Sequence, residues 1–187
     1  RLPKALRRDA ETVWIHKGVE PFGGGNNNLL IHVGQGEIYD DQGILEETLI
    51  HEAVHTSLDD DHAASAGWLA ARASDNEFIS MYARDYPERE DLAESFLPFL
   101  AVMLRPERIS SALRDTIKAT IPNRIAYFES LNLDMLPVQK MPASIDIDGN
   151  DQYDALTDGL LLLRGMFGID GSALVTGTIA SDAIYAD

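Results

Sequence analysis

The sequence predicts an α+β chain, mostly helical, with a small N-terminal sheet and a short C-terminal loop–helix module. Three observations carry that expectation. Two short β-rich runs, Val13-Trp14-Ile15 and Leu29-Leu30-Ile31-His32-Val33, flank a Gly/Asn-rich breaker near the start. Apolar residues then recur at helical spacing from residue 44 to 131, and from Ala143 onward the composition turns acidic. Two domains are therefore expected, 1–142 and 143–187.

Bulk composition narrows the function classes. A chain of 187 residues, 45% hydrophobic and 25% charged, can bury one substantial core. The apolar block Phe96 to Leu104 is far too short for a membrane helix and contains Pro98, so no membrane insertion is expected. A net charge of −16, from 31 acidic against 15 basic residues, disfavours nucleic acid and suits divalent cations. With no cysteine, any metal must be held by histidine and carboxylate. The chain begins at Arg1 without an initiator Met, which is compatible with either a trimmed or a processed product, and any signal peptide would lie outside this sequence.

Taken in order, Leu2 to Val13 reads as a short helix running into a strand at Val13 to Ile15. Pro21-Phe22-Gly23-Gly24-Gly25-Asn26-Asn27-Asn28 reads as a loop, since Gly and Asn accept positive φ. No Lys-Ser or Lys-Thr pair follows those glycines, which argues against a phosphate cradle. Leu29 to Val33 is a compact strand, expected to form the lip of a cleft; His32 either lines that cleft or is an ordinary packed or solvated side chain.

The next segment carries the chemistry. No Gly or Pro interrupts positions 44 to 63, Glu46 and Glu47 favour a helix start, and Leu45, Leu49, Ala53 and Leu58 form an apolar stripe. Inside it lies His51-Glu52-Ala53-Val54-His55, an H-E-x-x-H motif. With 5 His in 187 residues such a match is expected by chance about one time in a hundred, so it is informative. Two histidines four apart converge on one ion, and Glu52 stands beside the open position as general base. His62 is not the third ligand, because the metzincin pattern would need Gly and His where Leu58 and Asp61 stand. Asp59 either orients a ligand imidazole or solvates the helix end.

Further helices are expected at Ala63–Ala73, Glu88–Leu104, Glu107–Lys118 and Asn123–Leu131, with Pro98 kinking or splitting the second. Glu90 and Glu94 share a face of that apolar helix, where a carboxylate needs a cation or a donor. Glu90 is accordingly assigned to the metal and Glu94 to holding His51 or His55, with an exchange of the two roles as the alternative.

The motif helix followed by an aromatic-rich stretch and Glu90-Asp91-Leu92-Ala93-Glu94-Ser95-Phe96 resembles the gluzincin class of zinc metallopeptidases, in particular the lethal-factor-like catalytic domains, over about residues 40 to 105. That resemblance implies a zincin-like fold, zinc on His51, His55 and Glu90, and an oxyanion-stabilising tyrosine. The family's tyrosine position falls on Ala83, leaving Tyr82 or Tyr86 for the role.

In the tail, Asp146, Asp148, Asn150, Gln152, Asp154 and Asp158 place oxygen ligands along a loop as Ca²⁺ binding requires, and a helix follows from Gly159 to Arg164. The segment resembles dockerin and EF-hand-like calcium loops, departing at Asp151, where a turn glycine is usual, and at the closing Asp158, in the thirteenth position. The expectation is a secreted or cell-surface zinc peptidase acting on protein or peptide, with structural Ca²⁺ in the tail; no motif specifies an oligomeric state. The rival is a calcium-dependent extracellular adhesion or assembly module whose zinc site is structural or vestigial.

Overall fold

A computed structural model describes residues 2–138, 147, 154–179 and 181. It is α+β and mostly helical, with one three-stranded sheet. The chain divides into two compact units, Arg1–Gln139 and Lys140–Asp187; the composition shift had put the division at 142/143.

The first unit opens differently from the expectation of a helix over 2–13. Only a single 3-10 turn forms, Lys4–Leu6, which buries Leu6, and the strand β1 then spans Thr12–His16. The supposed loop at 21–28 contains a strand of its own, β2, Gly23–Gly25, followed by β3, Asn28–His32. Asn26 and Asn27 take φ of 48° and 58°, the paired left-handed values of a two-residue hairpin turn, so β2 and β3 pair antiparallel with Gly24 opposite Leu29. β1 pairs parallel to β3, with Trp14 opposite Leu30. The order β1-β3-β2 makes β3 the central strand and leaves β2 as an edge.

Helix α1, Val33–Asp41, follows at once, although Gly34 and Gly36 argue against it on propensity. Both glycines admit neighbours at close range: a Cβ on Gly34 would meet the Gly18 carbonyl oxygen at 2.7 Å, and one on Gly36 the Phe22 ring at 3.3 Å. The motif helix α2 spans Leu45–Ser57, with Glu46 and Glu47 in its first turn, and breaks at Leu58 before the single turn α3, Asp59–His62. Next come α4, Ala66–Ser74, capped by Ser65 Oγ on the Trp68 N–H, and α5, Met81–Asp85, capped by Ser80. α5 was not expected.

α6 runs Asp91–Leu104 without splitting, Pro98 lying inside it, and Glu90 is its N-cap rather than a helical residue. α7, Ser111–Thr120, and α8, Pro122–Ser130, complete the first unit. The core gathers Val54 and Leu58 of the motif region, Leu92, Phe96 and Phe99 of α6, and Trp68, Ile125 and Phe128. Phe128 sits 5.1 to 5.3 Å from the rings of Phe99, Phe96 and Trp68, which locks α4 and α8 against α6.

In the second unit, α9 spans Asp158–Met166 and α10 Gly171–Val175. Arg164 donates to the carbonyl oxygens of Ala173, Leu174 and Thr176, closing the end of α10. Among the described residues no helix is long and apolar enough to cross a membrane.

Candidate metal centre

Helical spacing on α2 brings His51 and His55 to one face, their Nε2 atoms 3.1 Å apart. Glu90 Oε2 lies 3.3 Å from each of them. Four-coordinate bonds of about 2.05 Å at tetrahedral angles separate ligand atoms by about 3.3 Å, so this triangle has the size of one face of such a site. Glu90 is 4% exposed, and a carboxylate so buried needs a cation or a donor; Arg89 Nη2 lies 3.5 Å from Oε1, which leaves Oε2 to face the two imidazoles. The three residues form a cluster that could hold a metal ion.

A carboxylate faces each imidazole from its far side. Asp59 Oδ2 lies 2.7 Å from His55 Nδ1, the contact by which it would orient that imidazole toward an ion. Glu94 Oε1 lies 3.4 Å from His51 Nδ1, while its Oε2 accepts from Ser80 Oγ at 2.6 Å. Burial works to lower the pKa of His55, but the Asp59 hydrogen bond and charge, with Glu90 and Glu52, carry it above the ordinary 6.5.

Glu52 reaches the same cleft, of about 590 Å³, lined also by Gly23, Gly24, Gly25 and Tyr82. Burial raises its pKa; the His51 and His55 charges and the Gly24 backbone hydrogen bond oppose this, and Glu90 adds to it. The β2 strand is held against α2 by Thr56, whose Oγ1 accepts from the Gly25 N–H at 3.0 Å and donates toward the Asn28 and Glu52 carbonyl oxygens. The approach is so close that a Cβ on Gly24 would lie 1.8 Å from the Glu52 carbonyl oxygen.

Of the two tyrosines, Tyr82 lines the cleft and hydrogen-bonds Glu90; burial and that bond raise its pKa above 10.0. Exposure does not separate the two, at 47% for Tyr82 and 50% for Tyr86; the Tyr86 ring lies 5.3 Å from that of Tyr82 and 6.0 Å from the Arg89 guanidinium, outside the cleft lining. The cleft lip is β2, not the β3 strand expected: β3 is paired on both sides, whereas β2 has an outer edge. His32 stands at the end of β3 with Nδ1 3.1 Å from the Pro21 carbonyl oxygen, and His62 pairs with the Tyr127 hydroxyl at 2.9 Å, away from the ligand triangle.

From sequence alone Gly24 falls in a loop rather than in a strand packed on the motif helix, and Ser80 has no assigned role. The signals were there: a Gly run joined by an Asn pair to a β-rich segment reads as a hairpin, and Ser80 precedes a helical turn whose Ala83 N–H it accepts at 3.0 Å.

In the tail, Asp146, Asp148, Asn150 and Gln152 lie outside the described residues. Asp158 is buried, its Oδ1 accepting from the Ile147 N–H at 2.6 Å and its Oδ2 from the Asp154 N–H at 3.0 Å. Asp154 Oδ1 accepts from the Leu156 N–H at 2.8 Å. Comparison with protein-family models, curated proteins and solved structures returned no match.

Proposed function

We propose that the chain is a zinc-dependent peptidase of the gluzincin type, in which His51, His55 and Glu90 hold the ion and Glu52 is the general base. The observation that carries this reading is the 3.1 to 3.3 Å triangle of two imidazole nitrogens and one carboxylate oxygen, with Glu52 in the same cleft. Two histidines and a glutamate are a catalytic rather than a closed structural donor set. Zinc, when bound, polarises a scissile carbonyl and lowers the pKa of water toward about 7.

The remaining chemistry falls to the chain. Glu52 takes a proton from the attacking water and returns it to the leaving amine; burial, which raises its pKa above the ordinary carboxylate value, favours the return step. The Gly24 backbone hydrogen bond fixes the carboxylate for that exchange. Tyr82, at the cleft beside Glu90, turns its hydroxyl from that carboxylate to the developing oxyanion. An extended peptide adds to the outer edge of β2 and so runs past the metal. The acidic tail as a Ca²⁺ loop and an extracellular setting belong to the same proposal, supported by the oxygen spacing and the −16 charge.

The test is cleavage of a peptide library by wild type and Glu52→Gln, with zinc measured in both. The expected result is cleavage by wild type and a loss of about 10²-fold or more in the variant at equal zinc content. Undiminished cleavage by Glu52→Gln overturns the mechanism. A wild type that binds zinc yet cleaves no peptide returns the chain to the calcium-dependent adhesion or assembly reading.

A further inference from the structure

Ser80 sits where two parts of the site meet, and its hydroxyl is used in both directions. As N-cap of α5 it accepts the Ala83 N–H at 3.0 Å, and it donates to Glu94 Oε2 at 2.6 Å. The other oxygen of Glu94 faces His51 Nδ1 at 3.4 Å. Ala83, on one side of Tyr82, is fully buried and anchors α5. One hydroxyl therefore joins the short helix that carries the cleft tyrosine to the carboxylate behind a metal ligand.

The backbone repeats the same connection. The Tyr86 N–H donates to the Tyr82 carbonyl at 3.0 Å, the Glu90 N–H to that of Tyr86 at 2.9 Å, and the Glu94 N–H to that of Glu90 at 2.8 Å. Tyr82, Glu90 and Glu94 are thus set along one line of hydrogen bonds across the break between α5 and α6. Glu94 remains partly exposed, its side chain at 24%, and on its own would rotate among several rotamers. The short charge-assisted bond from Ser80 selects the one in which Oε1 meets His51.

We propose that Ser80 is a positioning residue of the metal centre: by orienting Glu94 it fixes the His51 ring for the ion, and by capping α5 it holds Tyr82 over Glu90. The inference rests on the metal-centre reading above. An orienting partner of a ligand histidine is worth about 10- to 100-fold in metal affinity, which sets the size of the expected effect.

The experiment is zinc affinity by competition with a chromophoric chelator, together with the visible spectrum of the cobalt-substituted protein, for wild type, Ser80→Ala, Ser80→Thr and Ser80→Asp. Ser80→Ala is expected to weaken zinc about tenfold or more and to alter the cobalt spectrum, while Ser80→Thr, which keeps the hydroxyl, stays within about threefold of wild type. Ser80→Asp separates the two roles, because aspartate caps a helix well but sets a second carboxylate against Glu94. It is expected to bind zinc at least as weakly as Ser80→Ala. Wild-type affinity in Ser80→Ala, or its restoration in Ser80→Asp, overturns the inference and leaves the metal centre intact. Failure of the wild-type protein to bind zinc overturns the inference and the proposed function together.

Discussion

Replacing Gly24 with alanine probes the contact on which the cleft depends, between the edge strand β2 and the motif helix. The new methyl would be placed 1.8 Å from the Glu52 carbonyl oxygen, 2.6 Å from its carbon and 2.9 Å from its Cα. All three are backbone atoms inside a helix, so no side-chain rotation relieves the clash, and the strand must withdraw by more than about 1 Å to restore ordinary contact. Overpacking of this kind costs about 1–3 kcal/mol. The reduced freedom of the unfolded chain returns about 0.4–1 kcal/mol of it. For a chain of this size each kcal/mol moves the melting temperature by about 2–4 °C, so Gly24→Ala is expected to melt several degrees below wild type.

Gly23→Ala supplies the control. Its Cβ would meet Leu30 Cβ at 3.7 Å, an ordinary contact, and should leave the melting temperature unchanged or slightly raised. Calorimetry or circular dichroism on the two variants suffices. Equal melting temperatures for Gly24→Ala and Gly23→Ala would refute the close approach of β2 to α2.

Three further expectations concern the core and the ligands. Arg124→Met removes the buried cation bonded to Asp91 at 3.0 Å and Asp75 at 2.9 Å; a cost of about 3–5 kcal/mol should appear in urea unfolding, and an unchanged midpoint would contradict the buried triad. Trp68, 1% exposed among Phe128 and Tyr127, should cost about 3–5 kcal/mol on truncation to alanine, whereas Trp14, 58% exposed on β1, should cost under about 0.5 kcal/mol; similar losses at the two sites would sink the packing described. The raised pKa of His55 in the metal-free fold means that this protonated imidazole stabilises the fold at low pH, a contribution lost as pH rises through the raised value. Metal runs the other way, since it needs the neutral ring: zinc affinity should begin to fall above pH 6.5 as acid is added, and Asp59→Asn should move that onset to lower pH, as chelator competition across pH would reveal. An onset unmoved by Asp59→Asn contradicts the assignment of Asp59.

The convergence of the candidate metal cluster was legible because its spacing is periodic. Positions 51, 52 and 55 need only a helix to converge, and the run from Ile44 supplied one without interruption. Glu90 was legible for a different reason, a carboxylate opening an apolar helix, although it turned out to precede that helix as its N-cap. What stayed hidden was set by tertiary contact. Gly23 to Gly25 has no side chains to show alternation, so its strand exists only through pairing with β3 and the Thr56 bond to Gly25. Gly34 and Gly36 concealed α1 in the same way, because their low helix propensity is overridden by close packing on the 18–22 segment. The five-residue α5 is too short for a periodic signal and is held by its Ser80 cap and buried Ala83.

The central claim is that His51, His55 and Glu90 bind one metal ion, and metal content after dialysis against zinc tests it most directly. Wild type is expected to retain about one zinc per chain, while Glu90→Ala, with helical circular dichroism preserved, retains far less. No zinc in the wild type, or equal zinc in the two proteins, would contradict it.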